Sequence, residues 1–463
     1  MRVPSPLPAA GLWDTGAPPA AMGGANRRSA RAAAAASAAW ERLRWVSFVA
    51  VMIPLWLTPN PGATRFSEDP TAGREGTLFI QLLWIGLLVF ALFVTRERAS
   101  QLKRQVDITL LLLTGWCLLS TVFALVPDVS LRRFLLSAIC VLLAILIFSN
   151  VRKVETIVRL LLAVCVAETI TKYVFVFGLP FYGVHQATGV EPQLAGLWRG
   201  QFAHKNMAGP ICAIELVLIF YARRLAPAYL LVPLALLEFV FLLKSGSKTP
   251  LFLILLVAVL ARGFLTIRSG PLLAAIVLAC LALLNGITLA TVASDEARDL
   301  AGKLIGDVTF TGRIELWRFL LHYTADYPLM GAGFQSFWQV GSLSPAVTRG
   351  NSWVVAAVYG HQGFLDTVVM IGIPGLILTL LFVVVRPALD LAAVRHRNDP
   401  ILKLFVTIWL FGLFTNGTES ILLNRADGTW IFLVASIVVI RRYRMNDGVP
   451  AGRMPPPSSE RQT

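Results

Sequence analysis

The sequence predicts an all-α, polytopic membrane protein of about twelve transmembrane helices with one long structured loop on the outer side of the membrane. Its 463 residues are 56% hydrophobic and only 14% charged, whereas about 25% of the residues of a soluble domain are charged. Apolar runs near the length of a spanning helix recur along the chain. They lack the alternation of apolar and polar residues that marks the strands of a membrane β-barrel.

The apolar runs locate the predicted spans, since a spanning helix needs roughly 20 mostly apolar residues. Their centres lie within residues 46–59, 77–95, 107–126, 133–149, 154–177, 208–222, 227–243, 250–266, 272–291, 363–385, 402–421 and 428–440. We therefore divide the chain into residues 1–44, nine spans over 45–291, the long loop 292–362, three spans over 363–440 and a tail over 441–463.

The net charge of +15 predicts topology. When the amino terminus is placed in the cytoplasm, every cytoplasmic loop receives arginine or lysine, which is the positive-inside pattern. Examples are Arg96 and Arg98, Arg223 and Arg224, and Arg441 and Arg442. Both termini are then cytoplasmic, and the basic excess indicates membrane topology and anionic lipid, with no nucleic-acid partner.

The ends of the chain and the cysteines suggest no further domain. Residues 1–44 are rich in Ala, Pro, Gly and Arg and are expected to be disordered in the cytoplasm, without the features of a cleavable signal peptide. The tail is expected to be a loose end in the same compartment. The five cysteines lie in apolar runs without metal-binding spacing, so we expect no disulfides.

The long loop has too much aromatic surface to be left in water, because it contains Phe310, Trp317, Phe319, Phe334, Phe337, Trp338 and Trp353. Within it, TGRIELWRFLLHYTADYP (residues 311–328) predicts an amphipathic helix capped near Thr311 and stopped by Pro328. We expect this helix to lie along the membrane surface or to cover a cavity. The segment PLMGAGFQSFW favours a tight turn at Gly331 and Gly333.

Basic residues on the outer side need an explanation other than the positive-inside rule. Each has a local interpretation, such as an ion pair or a side chain that extends from a span end. As a set they suggest an anionic ligand at the outer leaflet, and arginine suits a diphosphate because its planar group binds two oxygens. They are Arg199, His204, Lys205, Lys244, Lys248, Arg313, Arg318, Arg349, His361 and Arg425.

Two of these positions lie at predicted helix starts. His204, Lys205 and Asn206 form an HKN motif just before a span, where unpaired N–H groups and the helix dipole favour phosphate. Arg313 lies in the first turn of the loop helix, where the dipole disfavours a cation. We therefore expect Arg313 to bind a group outside its own helix.

Charges within the predicted spans favour pairing, because an isolated charge at that depth costs about 2.5–3.5 kcal/mol on insertion scales. Glu168 and Lys172 are four residues apart and are expected to neutralise each other. Glu215 and Glu238 have no evident partner in the sequence, and one interpretation is that they face a substrate cavity.

A histidine begins the stretch HQGFLDTVVMIGIPG (residues 361–375), which leads into a span. His361 could end a helix in water, or it could act as a base held at the membrane surface. Gly372 and Gly375 are expected to allow close contact between helices, which would hold His361 in place. Pro374 is expected to bend the span.

These motifs together resemble the O-antigen ligase and polymerase superfamily. TGRIELWRFL and YPLMGAGFQSFW, with HKN upstream, are similar to its members. His361 and Gln362, nine residues, Gly372, two residues and Gly375 resemble the ligase signature, and Arg349 with Gly360 resembles an Arg-x10-Gly element. The resemblance covers residues 195–435 and is densest between 309 and 375.

The resemblance implies a metal-independent glycosyltransferase of the bacterial inner membrane, without a cofactor, whose active site faces the periplasm. Its partners would be an undecaprenyl-diphosphate-linked glycan donor, a glycan or lipid A core acceptor, and membrane lipids. His361 would act as the base, with Arg313 and Arg199 as catalytic cations. Arg349, His204 and Lys205 would bind the diphosphate, and Asn206, Gln362, Gly372 and Gly375 would support the motifs.

Several functions stay open at this point. Polymerisation of an exopolysaccharide is favoured, because the HKN element resembles exopolysaccharide polymerases. Ligation of O-antigen to lipid A core is close behind, and a protein O-oligosaccharyltransferase is a third member of the class. A transporter or flippase for lipid-linked glycan is the alternative from another class, although the single long loop divides the spans unequally and two matching transporter halves are not suggested.

Overall fold

The computed structural model describes residues 24–57, 78–187, 192–305, 310–351, 354–355, 357–424 and 427–447. The chain divides into two compact units, Met1–Leu43 and Arg44–Thr463. The described residues contain no β-strand, and an isolated antiparallel bridge joins Val184 to Trp198. The all-α class is therefore confirmed for this part of the chain.

Several of the helices before the long loop are joined by short connections, whereas residues 184–204 form a longer one, and we number the helices in chain order. They are α1 (Gly24–Leu57), α2 (Leu78–Thr95), α3 (Ala99–Gln105), α4 (Ile108–Val122), α5 (Pro127–Asn150), α6 (Val154–Gly178), α7 (Pro180–Gly183), α8 (Lys205–Tyr221), α9 (Ala228–Ser245), α10 (Lys248–Phe264), α11 (Gly270–Ala293), α12 (Asp295–Ile305), α13 (Phe310–Asp326), α14 (Pro345–Arg349), α15 (Gly363–Leu380), α16 (Arg386–Ala393), α17 (Pro400–Thr415) and α18 (Gly428–Asp447). A π-helical turn at Leu381–Val385 joins α15 to α16.

Among the described residues, six helices are long and apolar enough to cross a membrane: Pro127–Asn150, Val154–Gly178, Lys205–Arg224, Ala228–Ser245, Gly270–Ala293 and Gly363–Ala393. Three shorter apolar helices, Gln81–Thr95, Ile108–Val122 and Pro400–Thr415, coincide with further predicted spans. The structure thus supports a multi-pass membrane protein. The number of about twelve spans stays a prediction.

The expectation for the amino-terminal segment is wrong in part. Residues 24–44 were expected to be disordered, yet they form the first part of α1. The run ARAAAAASAAW (residues 30–40) explains the difference, because alanine has the highest helix propensity of all residues. Residues 1–23 and 448–463 lie outside the described residues.

At one end of the bundle, residues that were predicted for the cytoplasmic side contact one another. Arg441 pairs with Asp107 at 2.5 Å and with Asp390 at 2.9 Å. Arg442 donates to the carbonyl oxygens of Phe148 and Val151, at 2.5 Å and 2.8 Å. These contacts join the ends of helices that are far apart in the chain, and the orientation of this end in the membrane stays a prediction.

At the other end, the long loop is packed against the helices. The guanidinium of Arg133 donates to the carbonyl oxygens of Gln335, Trp338 and Gln339, at 2.6, 3.0 and 2.9 Å. The Ser130 hydroxyl donates to the carbonyl oxygen of Phe334 at 2.6 Å. The start of α5 therefore holds the segment that was predicted to form a tight turn.

The loop also has an apolar core of its own, as its aromatic content predicted. Leu316, Trp317 and Leu320 of α13 are buried against Phe337 and Val369. Helix α13 ends at Asp326, two residues before the Pro328 that was expected to stop it. The predicted cap at Thr311 falls on a side chain outside the described ones. Helix α13 thus packs on a protein core through one face, as an amphipathic helix does.

Helix α15 is broken in its middle at Gly372, whose φ of 71° and ψ of 178° are not helical. A strap of loop backbone lies across the break. Ile373 N donates to Pro328 O at 2.8 Å, and Ala332 N donates to Val369 O at 2.8 Å. A Cβ on Gly372 would come within 1.8 Å of Leu329 O. The carbonyl and N–H groups freed by the break are thus paired with the strap.

The interpretation of the two glycines is corrected by this geometry. Gly372 allows close approach, but the partner is the backbone of the loop strap, and the residue is needed for its left-handed φ. A Cβ on Gly375 would meet Ile371 of the same helix at 2.4 Å. Neither glycine therefore serves the contact between helices that was expected.

Candidate active site

His361 lies between the long loop and α15, and its backbone is held in an unusual conformation. Its φ is 52°, which is uncommon for a residue other than glycine and costs free energy. The next residue, Gln362, caps α15, because its side chain accepts from Leu365 N. His361 is thus placed one residue before a helix start, and it is about one fifth exposed at 20%.

Glu419 is the partner of His361. Its Oε2 is 3.1 Å from His361 Nδ1, and its Oε1 is 3.2 Å from Arg313 Nη2. Arg313 also donates from Nη1 to Thr418 O at 3.0 Å. Glu419 is 14% exposed and Arg313 is 23% exposed, so the three side chains form a mostly buried group that keeps some contact with solvent.

The charges in this group favour one protonation pattern. Burial alone would raise the pKa of Glu419, but the Arg313 guanidinium and His361 hold that pKa below its usual range. An ionised carboxylate can only accept hydrogen bonds, so Nδ1 of His361 carries the hydrogen. In a neutral imidazole, Nε2 then has the lone pair that can take up a proton.

Asp366 holds the backbone on either side of His361. Its Oδ2 accepts from Gly360 N at 2.7 Å and also from the Ser420 hydroxyl. Its Oδ1 accepts from Trp338 Nε1 at 2.9 Å. The Ser420 hydroxyl in turn accepts from Gln362 N at 3.1 Å. This network links the loop before His361 to the chain after α17, which carries Glu419.

The expectation for Arg313 is confirmed. It lies in the first turn of α13, and both of its contacts are on a segment more than a hundred residues away in sequence, at Thr418 and Glu419. The unfavourable position near a helix start is thus offset by a carboxylate. Because it binds Glu419 directly, Arg313 is placed to hold the acid that orients His361.

The HKN motif forms the start of α8, as expected. The buried His204 is the N-cap, and its Nδ1 accepts from Asn206 N at 3.2 Å. His185 accepts from Lys205 N through Nε2 at 3.3 Å. Two histidines, His204 and His185, therefore accept from the N–H groups at the start of α8.

Arg199 and Arg349 lie in different surroundings. Arg199 donates to Tyr182 O at 2.7 Å and to Ala203 O at 3.2 Å, so it stabilises the loop that carries His204. The side chain of Arg349 is 54% exposed, and its Nη1 is 3.8 Å from Asp326. The predicted roles of these two residues stay predictions.

The buried charges answer one open question and correct another. Lys172 pairs with Glu168 at 2.7 Å, as predicted, and also with Glu215 and Glu238, each at 2.5 Å. Glu215 and Glu238 therefore have a partner, and the interpretation that they face a substrate cavity is wrong.

None of the five cysteines, all of which the structure describes, forms a disulfide.

Sequence reasoning missed Glu419. The run TNGTES (residues 415–420) contains it at the outer end of an apolar span. Six polar or small residues in succession after α17 were a usable signal, because such a run at a span end points toward a polar site. The pairing with a histidine 58 residues earlier was not visible in any local pattern.

Comparison with known families supports the resemblance drawn from the motifs. Residues 213–380 match the model of the O-antigen ligase family. The matched residues include Arg313, Arg349, His361, Gly372 and Gly375. Glu419 and the HKN motif lie outside the match. No curated protein matches the chain. Residues 213–380, within a bundle of apolar helices, are therefore similar to the O-antigen ligase family.

Proposed function

We propose that this protein, whose residues 213–380 are similar to the O-antigen ligase family, is a glycosyltransferase that moves a glycan from undecaprenyl diphosphate to a hydroxyl of an acceptor glycan at the periplasmic face of the inner membrane. The observation that carries the proposal is the contact of His361 Nδ1 with Glu419, which is itself held by Arg313. A base oriented by a carboxylate is the arrangement that activates a hydroxyl nucleophile.

In the proposed reaction, the acceptor hydroxyl attacks the anomeric carbon of the donor glycan. A new carbon–oxygen bond forms there while the bond from that carbon to the diphosphate oxygen breaks. Nε2 of His361 takes the hydroxyl proton, and Glu419 stabilises the imidazolium that results. The bonding electrons leave with undecaprenyl diphosphate, which gains negative charge as it departs.

Cations near the leaving group would supply most of the remaining stabilisation, because fixed charges aimed at a developing anion act mainly in the transition state. We assign the diphosphate to the start of α8, with Lys205, His204 and Arg199, and keep Arg349 as a further candidate. His204 is the N-cap of α8, and the N–H groups at a helix start favour phosphate. We assign Arg313 chiefly to Glu419, since both of its amino groups are used at Glu419 and Thr418.

The proposal includes no metal ion. Among the described residues, one group of possible metal ligands has its donor atoms within 4.8 Å of one another: Cys165, Glu215 and Glu238. Both of these carboxylates are 2.5 Å from the ammonium of Lys172. A cationic side chain therefore already binds the carboxylates of that group.

Two acceptors are compatible with this chemistry. We favour an acceptor that is itself a lipid-linked repeat unit, which would make the protein an exopolysaccharide polymerase, because of the HKN motif. Ligation to lipid A core is the second candidate, and the match to the O-antigen ligase family favours it.

The test is a product assay with the purified protein in detergent or nanodiscs. Undecaprenyl-diphosphate glycan is supplied with and without lipid A core, in the presence of EDTA. Longer glycans on the carrier identify a polymerase, and glycan on the core identifies a ligase. We expect His361→Ala to lower the rate about 10²- to 10⁴-fold, which is the range for removal of a general base.

His322→Ala is the matched control, because His322 lies exposed on α13 and its Nδ1 contacts Arg318 O. We expect it to retain the wild-type rate. Equal rates for both variants would overturn the assignment of His361. A wild-type protein that converts no donor with either acceptor, but moves it across a bilayer, would favour the transporter.

A further inference from the structure

The buried cluster of Lys172, Glu168, Glu215 and Glu238 joins three helices at one point. The Lys172 ammonium lies 2.5–2.7 Å from a carboxylate oxygen of each glutamate, and all four side chains are fully buried. Thr169 donates to the other oxygen of Glu238 at 2.6 Å. The ammonium donates to Glu215 and Glu238 and, at 3.6 Å, to Cys212 Sγ, and Glu168 joins the group as an ion pair.

The cluster has more acids than bases. Three ionised carboxylates and one ammonium would leave two uncompensated negative charges inside an apolar bundle, which is energetically prohibitive. The cluster is neutral when two of its carboxyl groups hold protons. A protonated carboxyl still accepts a hydrogen bond through its carbonyl oxygen, so such a cluster can anchor a neighbouring group without presenting charge to it.

A neighbouring group is in fact attached. Gln201, which is 1% exposed, donates from Nε2 to Glu168 Oε1 at 2.6 Å. It lies between Arg199 and His204, in the segment that we call the donor loop (residues 198–204). The donor loop is thus hydrogen-bonded to the cluster from its own middle.

The backbone of the donor loop also rests on Lys172. Gly200 has a φ of 59°, and a Cβ placed on it would be 3.1 Å from Lys172 Cγ and 3.2 Å from Phe241. The ring of Trp198 packs edge-on against Tyr173 and Phe241, with centroids 5.8 Å apart in each case. Polar and apolar contacts therefore fix the same segment against the same place on α6 and α9.

We propose that the Lys172 cluster is a positioning site, which holds the donor loop through Gln201 so that Arg199 and His204 meet the diphosphate of the lipid donor. This inference rests on the proposed function for the identity of the ligand. The cluster does not contact the lipid donor directly. It acts through Gln201 and the backbone at Gly200.

The test compares two variants that each remove one hydrogen bond from the cluster. Gln201→Met keeps the side-chain length and loses the bond to Glu168. Thr169→Val keeps the shape and loses the bond to Glu238, on α9 and away from the donor loop. Hydrogen–deuterium exchange of peptides spanning 198–204 and the Kd for undecaprenyl diphosphate are measured for both, together with Tm.

We expect Gln201→Met to raise exchange in the donor loop and to raise the Kd about five- to tenfold, as for the loss of one buried hydrogen bond. Thr169→Val should lower Tm to a similar extent and leave both the exchange and the Kd at their wild-type values. A second pair gives a rescue. Glu168→Leu should behave as Gln201→Met does, whereas Glu168→Gln can still bond to the Gln201 amide and should behave as wild type.

The outcomes separate the inference from the proposed function. Unchanged exchange in Gln201→Met, or an equal rise in Thr169→Val, would overturn the positioning role. A rise in exchange with an unchanged Kd would overturn the link between the donor loop and the diphosphate. A wild-type protein without affinity for undecaprenyl diphosphate would refute the proposed function, while exchange would still decide whether the cluster holds the loop.

Discussion

Glu419 selects the tautomer of His361, because its ionised carboxylate accepts from Nδ1 and so directs the lone pair of the imidazole to Nε2. A carboxamide in its place can present N–H to Nδ1 and stabilise the opposite tautomer. We therefore expect Glu419→Gln to lower kcat for glycan transfer about a hundredfold or more, with a small change in KM for the donor. The measurement is steady-state transfer from undecaprenyl-diphosphate glycan.

Glu315→Gln is a suitable control for this change. Glu315 is an exposed residue of α13, and it accepts from Asn351 at 2.7 Å. It should retain the wild-type kcat. A Glu419→Gln protein with normal kcat would show that His361 is not oriented by the carboxylate.

Asp427 provides a pH-dependent test of the segment after Glu419. It is buried at the start of α18 and accepts from Thr429 N at 2.8 Å. Burial raises its pKa to about 6. Because the folded state binds the Asp427 proton more tightly than the unfolded state does, protonated Asp427 favours folding most at a pH below its unfolded pKa, near 4. This contribution to stability is lost as the pH rises through the folded pKa, about 6.

We therefore expect Asp427→Asn, which keeps a capping oxygen, to gain stability relative to wild type between pH 4 and pH 7, by on the order of 3 kcal/mol for a shift of this size. Tm of both proteins at the two pH values measures the gain. A difference in Tm that is the same at both, or larger at pH 4, would contradict the assignment.

At the scale of single residues, sequence reasoning singled out His361 and Arg313, and the structure places both side chains against Glu419, while their catalytic roles stay predictions. Both have chemistry that is unusual for their position: a histidine at a span end, and an arginine in a first helical turn. Glu419 was missed although it lies in a polar run at a span end, because such a run does not show which of its residues has a partner. Its role depends on a contact between segments distant in sequence, which local pattern does not encode.

Helix α15 depends on a backbone conformation that only glycine adopts readily. Gly372→Ala would strain the left-handed φ by about 1–3 kcal/mol and would bring a methyl group against Leu329 O. We expect it to displace the loop strap, lowering Tm and the rate of transfer together. Thermal unfolding and the product assay measure the two effects.

Gly115→Ala in α4 is the matched change, since a Cβ there meets no atom within 4 Å. It should leave Tm unchanged or slightly raised, because alanine favours a helix over glycine. Equal effects of the two substitutions would show that the break at Gly372 is not required for folding.

At the scale of elements, apolar runs located most helices within a few residues. The long spans over 154–177 and 272–291 correspond to Val154–Gly178 and Gly270–Ala293. A bend in α15 was expected at Pro374, but the break lies two residues earlier, at Gly372, where the apolar run continues without a change of period. The strap at Pro328–Ala332 stabilises the break, because it forms hydrogen bonds with the carbonyl and N–H groups that the break leaves without a partner in the helix.

The orientation of the whole molecule follows from the charge pattern and can be tested directly. None of the cysteines is fully exposed, so an added surface cysteine should dominate labelling. We expect Ser342→Cys in the long loop to react with a membrane-impermeant maleimide in cells with a permeable outer membrane. Asn398→Cys, between α16 and α17, should react only after the inner membrane is opened. The reverse pattern would refute the predicted topology.

At this largest scale, the sequence predicted an α-helical membrane protein and the division between two ends, and the contacts of Arg441 and Arg133 agree with that division. The sequence did not predict how the helices are arranged relative to one another. Periodicity indicates which side of a helix is apolar, but in a membrane both lipid and neighbouring helices are apolar. The partners of Lys172 on α8 and α9 illustrate the point, because only one of its three carboxylates is close in sequence.

The segment Gly363–Ala393 is interrupted twice, at Gly372 and at the π turn Leu381–Val385, where Val383 O accepts from Trp409 at 2.7 Å. A π turn adds one residue to a turn of a helix, so it rotates the face presented by Arg386 and Asp390 relative to the part of the helix before it. The direction in which this face meets Asp107 and Arg441 is thus set within the helix itself, by the position of the extra residue.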